Sequence, residues 1–198
     1  MSSSNGRVRR ANKATAAQLS LIVLKSGTFD LIDVRFSAQI ATSSELSDVD
    51  QQCIWDIFEQ NMRQMYIKSS MGWDPPSKKE ELFHPDSRFV LLRYLQAQLE
   101  DGLDPLGEKP PIVAYSTFRF DMENDECVLY CYELQVSQFM QRSGIGRALM
   151  LCLCDIAREW SMQKVMLTVF KENQRAVLFY KAMGFVRVFT RVNQEMNG

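Results

Sequence analysis

Six residues constrain this chain more than any others: Gln141-Arg142-Ser143-Gly144-Ile145-Gly146. They follow a strand-like run, Cys127–Val136. They precede a segment whose apolar residues, Leu149, Cys152, Leu153, Ile156 and Trp160, recur at helical spacing. A glycine-bearing turn that opens a helix points several backbone N–H groups one way. The helix N-terminus adds partial positive charge, so the turn is a natural pyrophosphate cradle. Glycine leaves no Cβ to hold phosphates off the backbone. Taken singly, Q-x-x-G-x-G is a weak signal, because glycines also end strands and start helices for purely structural reasons. The spacing is not G-x-G-x-x-G, which would need a glycine where Leu149 stands, and there is no G-x-x-x-x-G-K-[ST].

A second motif lies downstream. Lys164–Phe170 reads as a buried strand, and Asn173, Ala176, Phe179, Tyr180, Gly184 and Phe185 follow it as N-x-x-A-x-x-F-Y-x-x-x-G-F. The two motifs, in this order and spaced by a helix and a strand, resemble the GNAT superfamily of acetyl-CoA-dependent N-acetyltransferases over about residues 111–189. Further strings, Asn61–Tyr66, Gly72-Trp73, Phe118–Asp121, Val128–Glu133 and Val165–Lys171, resemble one branch of it, the NatD-type histone N-alpha-acetyltransferases, over about residues 50–189. The resemblance implies an α/β GNAT acetyltransferase fold, with a mixed, mostly antiparallel central sheet and flanking helices. It also implies acetyl-CoA as cofactor, CoA as product, and the N-terminal tails of histones four and two-A, which begin Ser-Gly-Arg-Gly, as partners.

Composition narrows the alternatives. The 198 residues suffice for one domain with a sizeable core, and 46% hydrophobic with 24% charged residues is ordinary for a globular protein. A net charge of −1 does not build the whole molecule to bind a polyanion, and no apolar run approaches a membrane span. The polar start Met1–Gly6 carries no secretory h-region. The five cysteines, Cys53, Cys127, Cys131, Cys152 and Cys154, form no C-x-x-C and suggest reduced thiols, hence cytoplasm and nucleus. Cys131 reads as a core thiol rather than an acyl-accepting nucleophile. With one histidine and no ligand-spaced cluster, no metal is expected. His84, in the turn-like Phe83-His84-Pro85-Asp86, reads as loop structure, so proton transfer falls to carboxylates, tyrosines or water. A monomer without direct nucleic-acid or membrane partners is expected.

Along the chain, residues 1–13 are polar and basic and read as frayed, and Ala14–Lys25 as a short helix. Asp30–Ile40 reads as a strand, and Ser47 as the N-cap of a helix reaching about Tyr66. Ser77 and Glu80 form a capping-box pattern for a short helix ending near Phe83. Arg88–Tyr94 reads as a strand, Leu99–Pro110 as a loop or short helix plus loop, and Pro111–Asp121 with Cys127–Val136 as a hairpin joined by Met122–Glu126. The expected division is a basic N-terminal segment and helix over 1–25, then a GNAT domain over 26–198.

Amide formation from a thioester requires that the thioester be held, its carbonyl polarised, a neutral amine presented and the thiolate stabilised. The resemblance assigns Leu134, Gln135 and Val136 to the pantetheine, Gln141, Arg142, Ser143, Gly144, Ile145, Gly146 and Arg147 to the pyrophosphate, and Asn173 to a further cofactor contact; Asn173 also reads as a plain N-cap, and the two are compatible. Arg142 and Arg147 add charge or are simply solvated. Glu133 is the candidate general base, or else a strand-end glutamate paired with a lysine: an α-amine has a pKa of ~7.7–8.0, so much of it must lose a proton before attack. Asp121 is the second carboxylate, either base or partner of a cationic substrate side chain. Tyr180 matches a position from which a tyrosine donates a proton to the departing thiolate, or packs on the sheet. The acceptor positions are Tyr66, Trp73, Asp121, Tyr130, Tyr132 and Thr168 with Glu133. Strict alternation puts Tyr130 and Tyr132 opposite Glu133, so all three share a site only if a bulge intervenes. The family is known for one; the sequence itself does not show it. Two departures stand out: Met71 replaces a second aromatic beside Gly72-Trp73, and no clear final strand follows Val186–Arg191. The alternatives are a GNAT enzyme for lysine side chains or small amines, and a non-catalytic acyl-CoA-binding module.

Overall fold

The computed structural model describes residues 3–29, 36–95 and 109–187. Among these, five strands form one sheet in chain order: β1 (Phe36–Thr42), β2 (Arg88–Tyr94), β3 (Ile112–Glu123), β4 (Glu126–Val136) and β5 (Lys164–Leu167). The first four pair antiparallel, and β5 runs parallel to β4. A parallel pair needs a crossover, which helix α5 (Ile145–Glu159) supplies. The expected mixed, mostly antiparallel sheet is therefore present.

β2 is buried at every residue from Arg88 to Arg93, so its two faces are both covered. On one face lies α3 (Asp48–Lys68), whose Ile54, Trp55, Ile57 and Phe58 join Phe89, Leu91, Ile112 and Tyr115 in one core. Helix α4 (Pro75–Leu82) closes that core through Leu82. α5 buries Leu149, Cys152, Leu153 and Ile156 of the stripe read from the sequence, while Trp160, its fifth member, is the half-buried C-cap; α2 (Ala16–Ser26) packs against α5 and β1. A second unit begins at Val169 and holds α6 (Gln174–Ala182).

Local chemistry explains the boundaries. Ser47 caps α3 by accepting from the Asp50 N–H at 3.2 Å, as read from the sequence. The β3–β4 hairpin is tighter than the expected five-residue link. Asn124 (φ 49°) and Asp125 (φ 64°) alone form the turn, and two consecutive left-handed residues are what a hairpin matched to strand twist requires. Arg93 locks the sheet to α3: its Nη2 donates to Asp50 Oδ1 at 2.7 Å, its Nε to Gln39 Oε1 at 3.2 Å and its Nη1 to the Pro110 carbonyl at 2.9 Å.

Several expectations need correction. Residues 3–13 are not frayed: α1 (Ser3–Ala11) buries Val8 and Ala11 against the sheet. Arg88 Nη2 holds the Asn12 carbonyl at 2.7 Å, and Asn12 Nδ2 donates to the Phe120 carbonyl at 3.1 Å. Asp74, not Ser77, caps α4, because the prolines at Pro75 and Pro76 occupy the positions where a missing N–H costs nothing. β5 stops at Leu167 and is half-buried; among the described residues it pairs with β4 alone. Residues 30–35, most of the loop expected over 99–110, and the chain beyond Arg187 lie outside the described residues.

Candidate active site

The site is made by an irregularity in the register of β3 and β4. Thr117 pairs with Glu133 and Phe118 with Cys131, so Tyr132 is an extra residue with no partner on β3. That bulge reverses the alternation of side chains between Tyr132 and Glu133. Tyr130 and Tyr132 stand with ring centroids 5.0 Å apart. The Arg119 guanidinium lies 4.0 Å from the Tyr132 ring centroid and donates to the Glu81 carbonyl of α4 and to Ser87 Oγ (3.1 Å). Glu133 reaches the same helix: its Oε1 lies 2.9 Å from Lys78 Nζ, which lies 3.0 Å from Glu81 Oε2. The condition set by the sequence is met, and both tyrosines and the carboxylate serve one face of β4.

Glu133 is buried and bonded at both oxygens, the second accepting from Gln135 Nε2 at 2.8 Å. Asn61 Nδ2 of α3 in turn donates to Gln135 Oε1 at 3.1 Å and to the Val136 carbonyl at 3.0 Å. Burial lifts the Glu133 carboxyl above the usual glutamate range, with Lys78 and Gln135 pulling the other way. Burial alone would weaken the Lys78 ammonium, but Glu133, Tyr66 and Glu81 hold its proton more tightly than in water. Lys78 also lies over the rings of Phe58 (5.3 Å) and Tyr66 (5.5 Å). Tyr115, fully buried on β3, feels the Glu133 charge and is held far above the usual phenol range, chiefly by burial; its hydroxyl has no hydrogen-bond partner among the described residues.

The remaining acceptor residues distribute unevenly. Tyr130 and Thr168 meet hydroxyl to hydroxyl at 2.5 Å. Trp73 is packed more than displayed: it stacks on Phe58 at 6.0 Å and contacts Trp55 and, edge-on, Tyr66. Met71 projects into solvent at 69% exposure, so it adds nothing to that aromatic wall. Asp121 is exposed and accepts from the Met122 N–H at 2.7 Å; its charge is felt at Tyr132, whose hydroxyl is raised mainly by burial. Cys131 is a buried thiol pushed well above the usual range by burial, as a core residue would be.

The residues assigned to acetyl-CoA fit that group. β4 pairs with β5 only as far as Cys131 and Leu167, so Leu134, Gln135 and Val136 continue beyond the end of β5. The Gln141–Arg147 turn opens α5 with Gly144 at φ 88°, a conformation that favours glycine, and no side chain caps the helix. Ser143 turns back to the Met140 carbonyl at 2.6 Å and Gln141 Nε2 to the Val136 carbonyl at 3.3 Å, while Arg142 and Arg147 are exposed. Ile145 is buried and Gly146 lies in the first turn. Asn173 and Tyr180 belong to the second unit. There Asn173 caps α6 by accepting from the Ala176 N–H at 3.1 Å, and Tyr180 contacts Phe179 and Phe185 at 5.1 and 5.7 Å.

Sequence reasoning did not single out Lys78 or Glu81, and it reached Asn61 and Arg119 only within longer strings. The charged run Lys78–Glu81 looks solvated, yet Lys78 lies one helical turn from buried Leu82 and shares its face.

The profile of the Acetyltransferase (GNAT) family matches residues 54–185, and the chain belongs to that family. Solved structures share the fold. An integron cassette protein from the mobile metagenome of V. cholerae is 16% identical, over 84% of this chain and 94% of its own, with a TM-score of 0.56. An aminoglycoside acetyltransferase from an uncultured soil metagenomic sample is 16% identical over 83% and 97%, TM-score 0.53. A ribosomal-protein-alanine N-acetyltransferase from Brucella melitensis biovar Abortus 2308 is 14% identical over 78% and 95%, TM-score 0.53. The protein is thus a GNAT acetyltransferase.

Proposed function

We propose that this enzyme is an N-terminal acetyltransferase of the NatD type, acting on the α-amine of histones four and two-A. The observation that carries the reading is the Tyr132 bulge, which gathers Tyr130, Tyr132 and the buried Glu133 on one face. An aromatic-walled end-pocket suits a thin chain terminus that starts Ser-Gly, and the exposed Asp121 can pair with an arginine at position three. Structural neighbours named for aminoglycosides and for a ribosomal protein show that the fold leaves the acceptor open, so the acceptor is argued from side chains. An open lysine groove fits this aromatic cluster less well, and a non-catalytic module would not need a buried, held carboxylate beside the cofactor turn. The histone tails as partners, and nucleus and cytoplasm as compartments, belong to the same proposal.

Acetyl-CoA, when bound, supplies the activated acetyl group and the thiolate that leaves. Leu134, Gln135 and Val136 would hold its pantetheine and the Gln141–Arg147 turn its pyrophosphate. The protein's own chemistry is proton handling. Glu133 is the base; each of its oxygens keeps a second lone pair beside its bond to Lys78 or Gln135, so the amine proton can reach it directly or through one water without breaking either bond. The test is an assay with acetyl-CoA and a Ser-Gly-Arg-Gly peptide, free or blocked at its α-amine. Turnover of the free peptide alone supports the reading, and equal turnover of both refutes it.

A further inference from the structure

Lys78 occupies a place that the reaction scheme leaves without a task. It is among the most buried charged side chains of the molecule, at 8% exposure, and sits between two carboxylates: 2.9 Å from Glu133 Oε1 and 3.0 Å from Glu81 Oε2. The second is a surface group, its side chain 44% exposed. The Lys78 ammonium itself lies over the rings of Phe58 and Tyr66, so it cannot swing to solvent without leaving these contacts. An isolated carboxylate at the depth of Glu133 would take up a proton rather than remain charged, and a protonated Glu133 cannot accept one from an amine.

We propose that Lys78 is a positioning residue of this site: its ammonium keeps Glu133 a carboxylate, and the way it is shared with Glu81 sets the strength of that base. The proposal rests on reading Glu133 as the base. Lys78 does not touch the reacting atoms. It fixes the position of Glu133 Oε1, while Gln135 fixes Oε2. Among the described residues, the titratable groups facing Glu133 are Tyr66 from α3, Lys78 and Glu81 from α4, Tyr115 from β3, and Cys131 from its own strand. Both tyrosines and the thiol have pKa values raised by burial and stay neutral at working pH, so Lys78 is the one cation in the set and Glu81 the one competing anion. Removing Lys78 therefore raises the pH at which Glu133 ionises, and removing Glu81 lowers it.

The test measures kcat against pH for wild type, Lys78→Met, Lys78→Arg, Glu81→Gln and Glu133→Gln, with a carboxyl ¹³C NMR titration of Glu133 in the folded variants. Lys78→Met should move the acid limb upward by about two pH units, within the range burial imposes on carboxyl groups. Its kcat should fall about 10- to 100-fold at pH 7 and partly recover at pH 9, with KM for acetyl-CoA unchanged. Lys78→Arg should restore most of the rate. Glu81→Gln, a surface change that keeps the fold, should move the limb and the NMR midpoint downward by a few tenths of a unit, and so tests the proposal even if Lys78→Met does not fold. A limb unmoved in Glu81→Gln and Lys78→Met, or a loss in Lys78→Met uniform with pH, overturns the role of Lys78 while Glu133→Gln remains impaired. Wild-type turnover in Glu133→Gln overturns the base itself, and this proposal with it.

Discussion

Gln135 Nε2 donates to Glu133 Oε2 across 2.8 Å, two residues apart on one face of β4, so the candidate base is held by the strand that carries it. Glu133→Gln keeps the shape and removes the charge. Turnover should fall about 10²–10⁴-fold, the usual contribution of general acid–base catalysis, with little change in acetyl-CoA affinity. Steady-state kinetics beside calorimetric titration separates the two. A variant with normal turnover across pH 6–9 would move the role to Asp121 or a water chain.

The cofactor turn makes a sharper prediction. Gly144 is left-handed, at φ 88°, with open space where a Cβ would stand. Gly144→Ala should therefore cost only the backbone strain of that conformation, about 1–2 kcal/mol of stability, and retain binding. Gly144→Glu adds a carboxylate where the helix N-terminus would meet phosphates and should abolish acetyl-CoA binding in a folded domain. Calorimetry on both variants checks it; wild-type affinity in Gly144→Glu would remove the turn from the cofactor site.

Asp50 and Arg93 form a buried pair away from the chemistry, 2.7 Å apart with side chains 6% and 7% exposed. Asp50→Ala leaves Arg93 uncompensated and should cost on the order of 3–5 kcal/mol in denaturant unfolding. Burial works against ionised Asp50, but Arg93, Ser47 and Lys109 together hold its carboxyl below the ordinary aspartate value. A lowered folded-state pKa gives stability that is complete above the unfolded value and lost as pH falls through the folded one. Wild type should lose this contribution only in strong acid, below the ordinary aspartate range, and Asp50→Ala should lack that acid-dependent step.

Asp121 is exposed, so its pairing with a substrate arginine should be weak, about 0–1 kcal/mol. Replacing the peptide arginine by alanine should reduce kcat/KM by less than about tenfold. Asp121→Ala should add little on the altered peptide, because the shared contact is already gone. A much larger loss that persists in the double change would point to another carboxylate.

Much of this architecture was legible in the chain. The α5 stripe from Leu149 to Ile156, the Ser47 cap and the Arg88–Tyr94 strand follow from periodicity and capping chemistry, and appear with those residues in those places; Trp160 ends up as the cap of α5 and not on its stripe. The bulge was not legible, because Cys131-Tyr132-Glu133 contains no glycine and the extra residue is fixed by register with β3. α1 was missed because two buried residues, Val8 and Ala11, give no periodic signal; its support comes from Arg88 and Asn12, distant in sequence from its partners. Lys78 was hidden for a similar reason, since only the packing of α4 decides which of two adjacent lysines turns inward.

The central claim is acetyl transfer to a histone-type α-amine, and one measurement addresses it directly. The enzyme is incubated with acetyl-CoA and an equimolar mixture of two lysine-containing peptides, one starting Ser-Gly-Arg-Gly and one Met-Leu, and fragment mass spectrometry locates the acetyl group. The account predicts acetylation almost wholly on the α-amine of the Ser-Gly-Arg-Gly peptide, with lysines unmodified. Acetyl on lysine, or equal modification of both N-termini, would contradict it.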